Sequence, residues 1–323
     1  MAEAKGQRMF ETRLLTMLAE TPVHAGTGAE LGAVDLPIQR ERHTRFPTIH
    51  GSGVKGVLRD LSERINGNDK DSITTMLFGS PPPEGPGGNA LEAGSLVVSD
   101  ARLLLLPVRS VGHAFAWVTS PYLLSRFLRD AGDCQPSERQ EIEAAIQQAL
   151  SGDLTKGRVH TAFPLDAAMI EEIELPVEKK DLGKLIALLE KIMPGGEEMR
   201  YWRELLPKNL VVAPDDVFAD LALHGTEVVT RVRLTVEKTV QEGALWTEEY
   251  LPADSLLYSV IGLEQQRLTR KWNGKKGATG NGGPNGWIWV ADLIQKHPVA
   301  QFGGKETIGR GFLRLQLWPV ANK

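Results

Sequence analysis

Two periods of apolar residues alternate along the chain. Residues 11–20 hold the run Leu14, Leu15, Met17 and Leu18 and predict a strand. Val54, Val57, Leu58, Leu61 and Ile65 then fall on one helical face, with Ser52 placed to cap the helix. Short strands are predicted at 96–99, 103–107 and 113–118. Ser120-Pro121 opens a helix that stops near Gly132, since a cap followed by a first-turn proline is a helix start. A second helix is predicted over 137–150, with a hairpin or insertion over 151–180. Leu182, Leu185, Ile186, Leu189 and Ile192 predict an amphipathic helix, ended by Pro194-Gly195-Gly196. A short helix at 201–206, a strand at 210–212 and a helix capped by Asp215 follow.

Residues 227–236 show period two, with Val228, Thr230, Val232, Leu234 and Val236 opposite Val229, Arg231, Arg233 and Thr235. That pattern predicts a strand with one buried face and one mostly polar face. A strand at 255–263, a helix at 287–296 and a last strand complete a mixed α/β pattern without a fixed repeat.

The segments between elements are unusually long, and the chain's 33 glycines and 19 prolines gather there. Residues 79–94 and 264–286 are predicted loops, the second carrying Arg267, Arg270, Lys271, Lys275 and Lys276 with no acid after Glu264. Residues 21–40 form the longest irregular stretch near the start, bracketed by Pro22 and Pro37. A long irregular segment in a compact domain points to a functional loop. Arg40, Arg42, His43 and Arg45 follow it with Glu41 as the lone acid among them.

Composition narrows the possibilities. A chain of 323 residues, 41% hydrophobic and 24% charged, can bury a substantial core. No apolar run approaches the roughly 18 residues of a membrane span, and the polar start lacks a signal-peptide core. The expectation is a cytoplasmic protein. One cysteine, Cys134, excludes internal disulfides and multi-cysteine zinc sites. A net charge of −4 argues mildly against a free-standing nucleic-acid binder, unless basic residues gather on one face.

Several segments carry candidate chemistry. Gly26-Thr27-Gly28 is followed by Gly32, one residue late for a dinucleotide fingerprint, and Pro37 would break the helix that motif requires. No nucleoside-triphosphate loop is present. Asp35 reads either as a turn residue before Leu-Pro or as an acid exposed beside Arg40 and Arg42. His24 reads either as a hydrogen-bonded structural residue or as a catalyst. Lys55 in a helical first turn would oppose the helix dipole, and with Ser52 and two glycines it suits a phosphate. Gly303-Gly304-Lys305 and Gly309-Arg310-Gly311 combine backbone freedom with charge in the same way. With 264–286, these basic, glycine-bearing segments suggest one phosphate-binding face.

The motif set as a whole carries a resemblance. Thr-Pro-Val-His-Ala-Gly-Thr-Gly from Thr21, Gly-Ala-Val-Asp-Leu-Pro-Ile-Gln-Arg from Gly32, Gly-Ser-Gly-Val-Lys-Gly from Gly51, Leu-Trp-Thr-Glu-Glu-Tyr from Leu245 and the closing glycine-rich segment resemble the RAMP superfamily of CRISPR proteins. Within it they resemble the backbone subunit of type III-B (Cmr) effector complexes. The resemblance implies an α+β fold: a modified RRM, or ferredoxin-like, core with inserted lid and thumb elements, in a single domain with insertions near 131–200 and 264–286. It implies a stack of copies along CRISPR guide RNA, joined by other effector subunits, that cuts complementary single-stranded target RNA at regular intervals. Its catalytic aspartate falls at Asp35. His24, Glu248, Glu249 and Tyr250 occupy positions tied to cleavage or guide contact, and Arg40, Arg42, Ser52, Lys55, Gly303, Gly304, Lys305 and Arg310 are candidate RNA contacts. A divalent metal, Mg²⁺ in particular, is the implied cofactor, although no complete ligand set is visible. The competing reading is a structural RNA-binding subunit that does not cut.

Overall fold

The run at residues 14–18 forms an inner strand of a large, mostly antiparallel sheet, with a paired strand on each side. The computed structural model describes residues 10–319 except 30–31, 68–71, 81–91, 153, 155–156, 163–166 and 274–283. In chain order, β1 (Glu11–Ala19) and β2 (Thr48–Ile49) precede α1 (Gly51–Asn66) and α2 (Ile73–Phe78). β3 (Leu96–Val98), β4 (Ala101–Val108) and β5 (Ala116–Thr119) lead to α3 (Pro121–Cys134) and α4 (Arg139–Leu150). β6 (Val159–Thr161), β7 (Ala167–Ile170) and β8 (Ile173–Lys179) come before α5 (Gly183–Ile192), α6 (Arg200–Asn209), β9 (Leu210–Val212) and α7 (Asp215–His224). β10 (Glu227–Leu234) and β11 (Val240–Tyr250) pair as a separate ribbon. β12 (Leu256–Leu263), α8 (Gln265–Asn273), α9 (Gly286–Lys296), β13 (Val299–Gln301) and β14 (Phe312–Trp318) close the chain.

The main sheet runs β13-β14-β1-β12-β4-β5-β9-β6-β8-β7, with β2 on β4 and β3 on β12. Side chains alternate across a strand, so β1 feeds two cores. Leu15, Met17 and Ala19 join the side covered by α1, α2, α7 and α9. Leu14 and Leu18 join the side covered by α3, α4, α5 and α6. Leu14, Leu15 and Met17 are 0% exposed, and burying each such side chain is worth roughly 1.5–3 kcal/mol. Helices on both faces of β1 explain why its sequence is apolar without alternation.

The expected start of α3 holds: Ser120 caps it by accepting from the Leu123 amide, behind Pro121. Asn285, which the sequence pattern did not single out, caps α9 through the Trp287 and Ile288 amides. Four expectations are corrected. Ser52 is not a cap: α1 starts at Gly51, His50 stands at the cap position, and the Gly51 amide is taken by Asp100. Asp215 is the first residue of α7, and its carboxylate accepts from the Tyr122 amide at 2.8 Å, bracing two helix starts together. The alternation at 227–236 gives no buried face, because among the described residues β10 pairs only with β11 and Val228, Val232 and Leu234 are exposed. The segment 264–286 is not all loop. It contains α8, in which Arg267 and Arg270 both pair with Glu264. Lys275 and Lys276 lie outside the described residues. Residues 131–200 supply α4, α5 and part of the sheet.

Candidate functional site

After β1 the chain folds back on itself as a narrow irregular hairpin, Gly26 bridging Ile38 and the Gln39 amide bonding the Ala25 carbonyl at 2.7 Å. This hairpin is clipped to β11 at both ends. Val23 and Leu251 exchange two backbone bonds of 2.9 Å. The Leu36 amide donates to the Thr247 carbonyl and the Glu249 amide to the Leu36 carbonyl, both at 3.0 Å. The irregular segment is therefore tied in place by β-type bonds that its sequence pattern does not show.

Asp35 sits exposed beside this clip. Its Oδ2 accepts from both the Thr247 amide (2.7 Å) and the Thr247 hydroxyl (2.8 Å), while its own amide donates to Thr247 Oγ1 at 3.0 Å. The amide bond first, then the hydroxyl bond, hold the Asp35 carboxyl below the usual carboxylate range. His24 is buried one layer below. Its Nδ1 donates to the Glu249 carbonyl at 2.7 Å, a partner that can only accept and so fixes the ring hydrogen on Nδ1. The Gly304 amide donates to the His24 carbonyl at 2.9 Å. Gly303, at φ +77°, lies so near that an added Cβ would stand 2.3 Å from the His24 carbonyl oxygen. Only glycine suits that place.

Glu248 anchors a compact network beneath the closing loop. Its Oε1 accepts from Lys305 Nζ at 2.5 Å and Trp246 Nε1 at 2.7 Å. Its Oε2 accepts from the Tyr250 hydroxyl and from Arg231 Nε at 3.3 Å. Burial alone would raise the Glu248 carboxyl, but the bonds from Lys305, Tyr250 and Trp246 outweigh it and hold it at about 2. Burial, then the bond to Glu248, push the Tyr250 hydroxyl up. Arg310 stacks its guanidinium 4.8 Å above the Tyr250 ring.

The sequence matches the RAMP superfamily over residues 16–314. The chain belongs to the RAMP superfamily. It is similar to the CRISPR system Cmr endoribonuclease Cmr4 of Pyrococcus furiosus, with 35% identity over 315 residues that cover 96% of each chain. A second relative is the CRISPR system CMR subunit Cmr4 of Saccharolobus solfataricus, 25% identical over 92% of this chain and 94% of that one. The solved structure of oligomeric Cmr4 from Pyrococcus furiosus superposes with a TM-score of 0.66 at 28% identity, covering 96% of this chain and 99% of that chain. A chain of the type III-B Cmr-beta complex bound to cognate target RNA shares the fold, with a TM-score of 0.70 at 21% identity over 95% and 96% of the two chains.

In this RAMP chain the candidate residues separate into groups. Asp35, His24, Glu248, Tyr250, Gly303, Gly304, Lys305 and Arg310 come together around β11 and the closing loop. Glu249 points the other way. Its carboxylate accepts from the Ile38 amide (3.0 Å), Thr226 (2.7 Å) and Arg40 (2.5 Å), and these bonds lower its carboxyl against the opposing effect of burial. Arg40, expected as an open RNA contact, is an internal brace that also donates to the Ala222 and Arg45 carbonyls. Lys55 is not in the first turn of α1. It lies one turn further in, donates to the Leu96 carbonyl at 3.0 Å, and is lowered by burial and then by neighbouring Arg59. Ser52 and Arg42 are exposed, Arg42 in the turn after the irregular hairpin. Thr247, Arg231 and Trp246 were missed by sequence reasoning. The β10–β11 register, with Arg231 opposite Trp246, brings Arg231 to Glu248, and the Leu36–Glu248 bridge sets Thr247 against Asp35.

No three His, Cys, Asp or Glu side chains among the described residues are grouped to hold a metal ion. Glu248 and Glu249 are each occupied by cationic partners, which leaves Asp35 as the exposed carboxylate of the site. That donor set suits a single carboxylate contact rather than a protein cage, and Mg²⁺ commonly binds proteins through one or two carboxylates plus water and phosphate. No helix among the described residues is long and apolar enough to cross a membrane.

Proposed function

We propose that this chain is the backbone subunit of a type III-B CRISPR effector complex, binding guide RNA as a stack of copies in the cytoplasm and cutting complementary target RNA. The observation that carries the reading is an exposed carboxylate, Asp35, fixed by Thr247 beside a cationic, glycine-rich loop. The relatives named for Cmr endoribonuclease activity and the complex with target RNA support it. In this reading β14, β1, β12 and β4 belong to the modified RRM core, the β10–β11 ribbon is the thumb, and residues 131–200 and 264–286 are insertions of one domain.

A nucleotide of the target, kinked out of the duplex, presents its 2′-hydroxyl in line with the adjacent phosphorus. The 2′-oxygen bonds to phosphorus as the bond to the 5′-oxygen breaks, leaving a cyclic phosphate and a 5′-hydroxyl. A carboxyl held below its ordinary range is a weak base but stays anionic at working pH. Asp35 accordingly accepts the hydrogen bond of the 2′-hydroxyl and orients it, and water carries the proton between the two oxygens. Lys305 gives Glu248 one of its three N–H donors and keeps the others for phosphate. His24, Tyr250 and Glu248 hold this loop in place, and Glu249 braces the hairpin from behind. A divalent ion bound at Asp35 would neutralise phosphate charge. With one protein carboxylate to offer, the free chain should show no stoichiometric Mg²⁺ binding in calorimetry, while chelation should stop cleavage by the assembled complex and Mg²⁺ should restore it.

The test is Asp35→Ala in the assembled complex. Target cleavage is expected to be lost with guide binding intact. Unchanged cleavage would favour the alternative, a structural RNA-binding subunit.

A further inference from the structure

The geometry points to Thr247 as a positioning residue for cleavage, holding Asp35 through its hydroxyl and tying it to the root of the β10–β11 ribbon. This rests on the reading of Asp35 as the catalytic carboxylate. Thr247 makes four bonds to the Asp35-Leu36 pair. Its amide and hydroxyl both donate to Asp35 Oδ2, its hydroxyl oxygen accepts from the Asp35 amide, and its carbonyl accepts from the Leu36 amide. Two donors from one residue converge on Oδ2 and fix that oxygen in place, leaving Oδ1 to face the RNA.

The need for such a clamp follows from the surroundings. Asp35 is exposed, so no packing restricts its rotamers. The neighbouring carboxylates are held in other ways: Glu248 by cations and ring groups, Glu249 by Arg40 and Thr226. Asp35 has no cation of its own among the described ion pairs. Among the described residues, Thr247 is the one other residue that bonds its carboxylate. Thr247 in turn lies on β11, opposite Thr230 of β10, so any displacement of the ribbon by bound RNA is passed to the carboxylate.

The test compares Thr247→Val, Thr247→Ser and Asp35→Ala in the assembled complex, under single-turnover conditions with saturating target. Valine keeps the shape and the amide but removes the hydroxyl. Thr247→Val is expected to slow cleavage by about 10–100-fold, the scale of a misplaced catalytic group, with guide and target affinities unchanged. Thr247→Ser, which keeps the hydroxyl, should recover most of the rate. Thr247→Val added to Asp35→Ala should cost nothing further, since both act through one group. A wild-type rate in Thr247→Val, equal damage in the serine variant, or lost assembly would each overturn the clamp while leaving Asp35 in its role. Normal cleavage by Asp35→Ala would instead overturn the reading on which the clamp rests.

Discussion

Glu248 shows how one residue can be spent on order rather than on chemistry. Its side chain is 1% exposed and surrounded by Lys305, Arg231, Trp246 and Tyr250. A carboxyl at about 2 in the folded chain, against roughly 4.3 when unfolded, stabilises the fold by about 3 kcal/mol. Because the folded value is the lower one, this contribution is complete above the unfolded value. It is lost as pH falls from about 4.3 toward 2. Glu248→Gln should lower stability at pH 7 and flatten the acid side of the stability curve, as urea unfolding at pH 7 and pH 3 would measure. Arg40 is a second case at this scale. Arg40→Ala leaves Glu249 buried without its cation, so a loss of about 3–5 kcal/mol is expected in thermal or urea unfolding.

At the scale of elements, what a local pattern can express was legible and what depends on pairing was not. The α1 face, the Ser120-Pro121 start and the period-two stretch at 227–236 were all readable, because each is written in consecutive residues. The exposed ribbon was misjudged because alternation reports a two-sided strand, not what covers each side. Among the described residues Val228 and Val232 meet no second layer. The closing glycines were readable as a tight segment but not as individuals, since only the fold sets His24 against Gly303. That contrast can be tested. At Gly304 an added Cβ would stand 3.6 Å from the nearest atom, His24 Cδ2, an ordinary contact. Gly303→Ala would combine a clash at 2.3 Å with a left-handed backbone, itself costing about 1–2 kcal/mol. Gly303→Ala should therefore lower the melting temperature and target cleavage together, while Gly304→Ala should change both little.

For the whole molecule, charge placement matters more than net charge. The chain carries −4 overall, yet several expected basic contacts are neutralised internally: Arg40 by Glu249, and Arg267 and Arg270 by Glu264. Sequence alone listed these cations without their partners, which is why four basic segments looked like one face. The motif resemblance singles out Asp35 and His24 through their neighbours in sequence, which charge does not do. The described residues leave Arg42 and Arg45 exposed in the turn after the irregular hairpin, lining a cleft of about 700 Å³ with Thr27, Gly32 and Ala33. If these two arginines meet guide phosphates, each released counterion contributes about 0.7 to the slope of log affinity against log salt for single-stranded RNA. Replacing both with alanine should lower that slope by about 1.4 and weaken guide binding most at low salt. Binding measured between 50 and 200 mM salt, about the range where such contacts cost most, would show it. Parallel salt plots for the wild type and the double variant would place the guide elsewhere, and the cleft at residues 27–45 would then belong to the target strand or to the next copy in the stack.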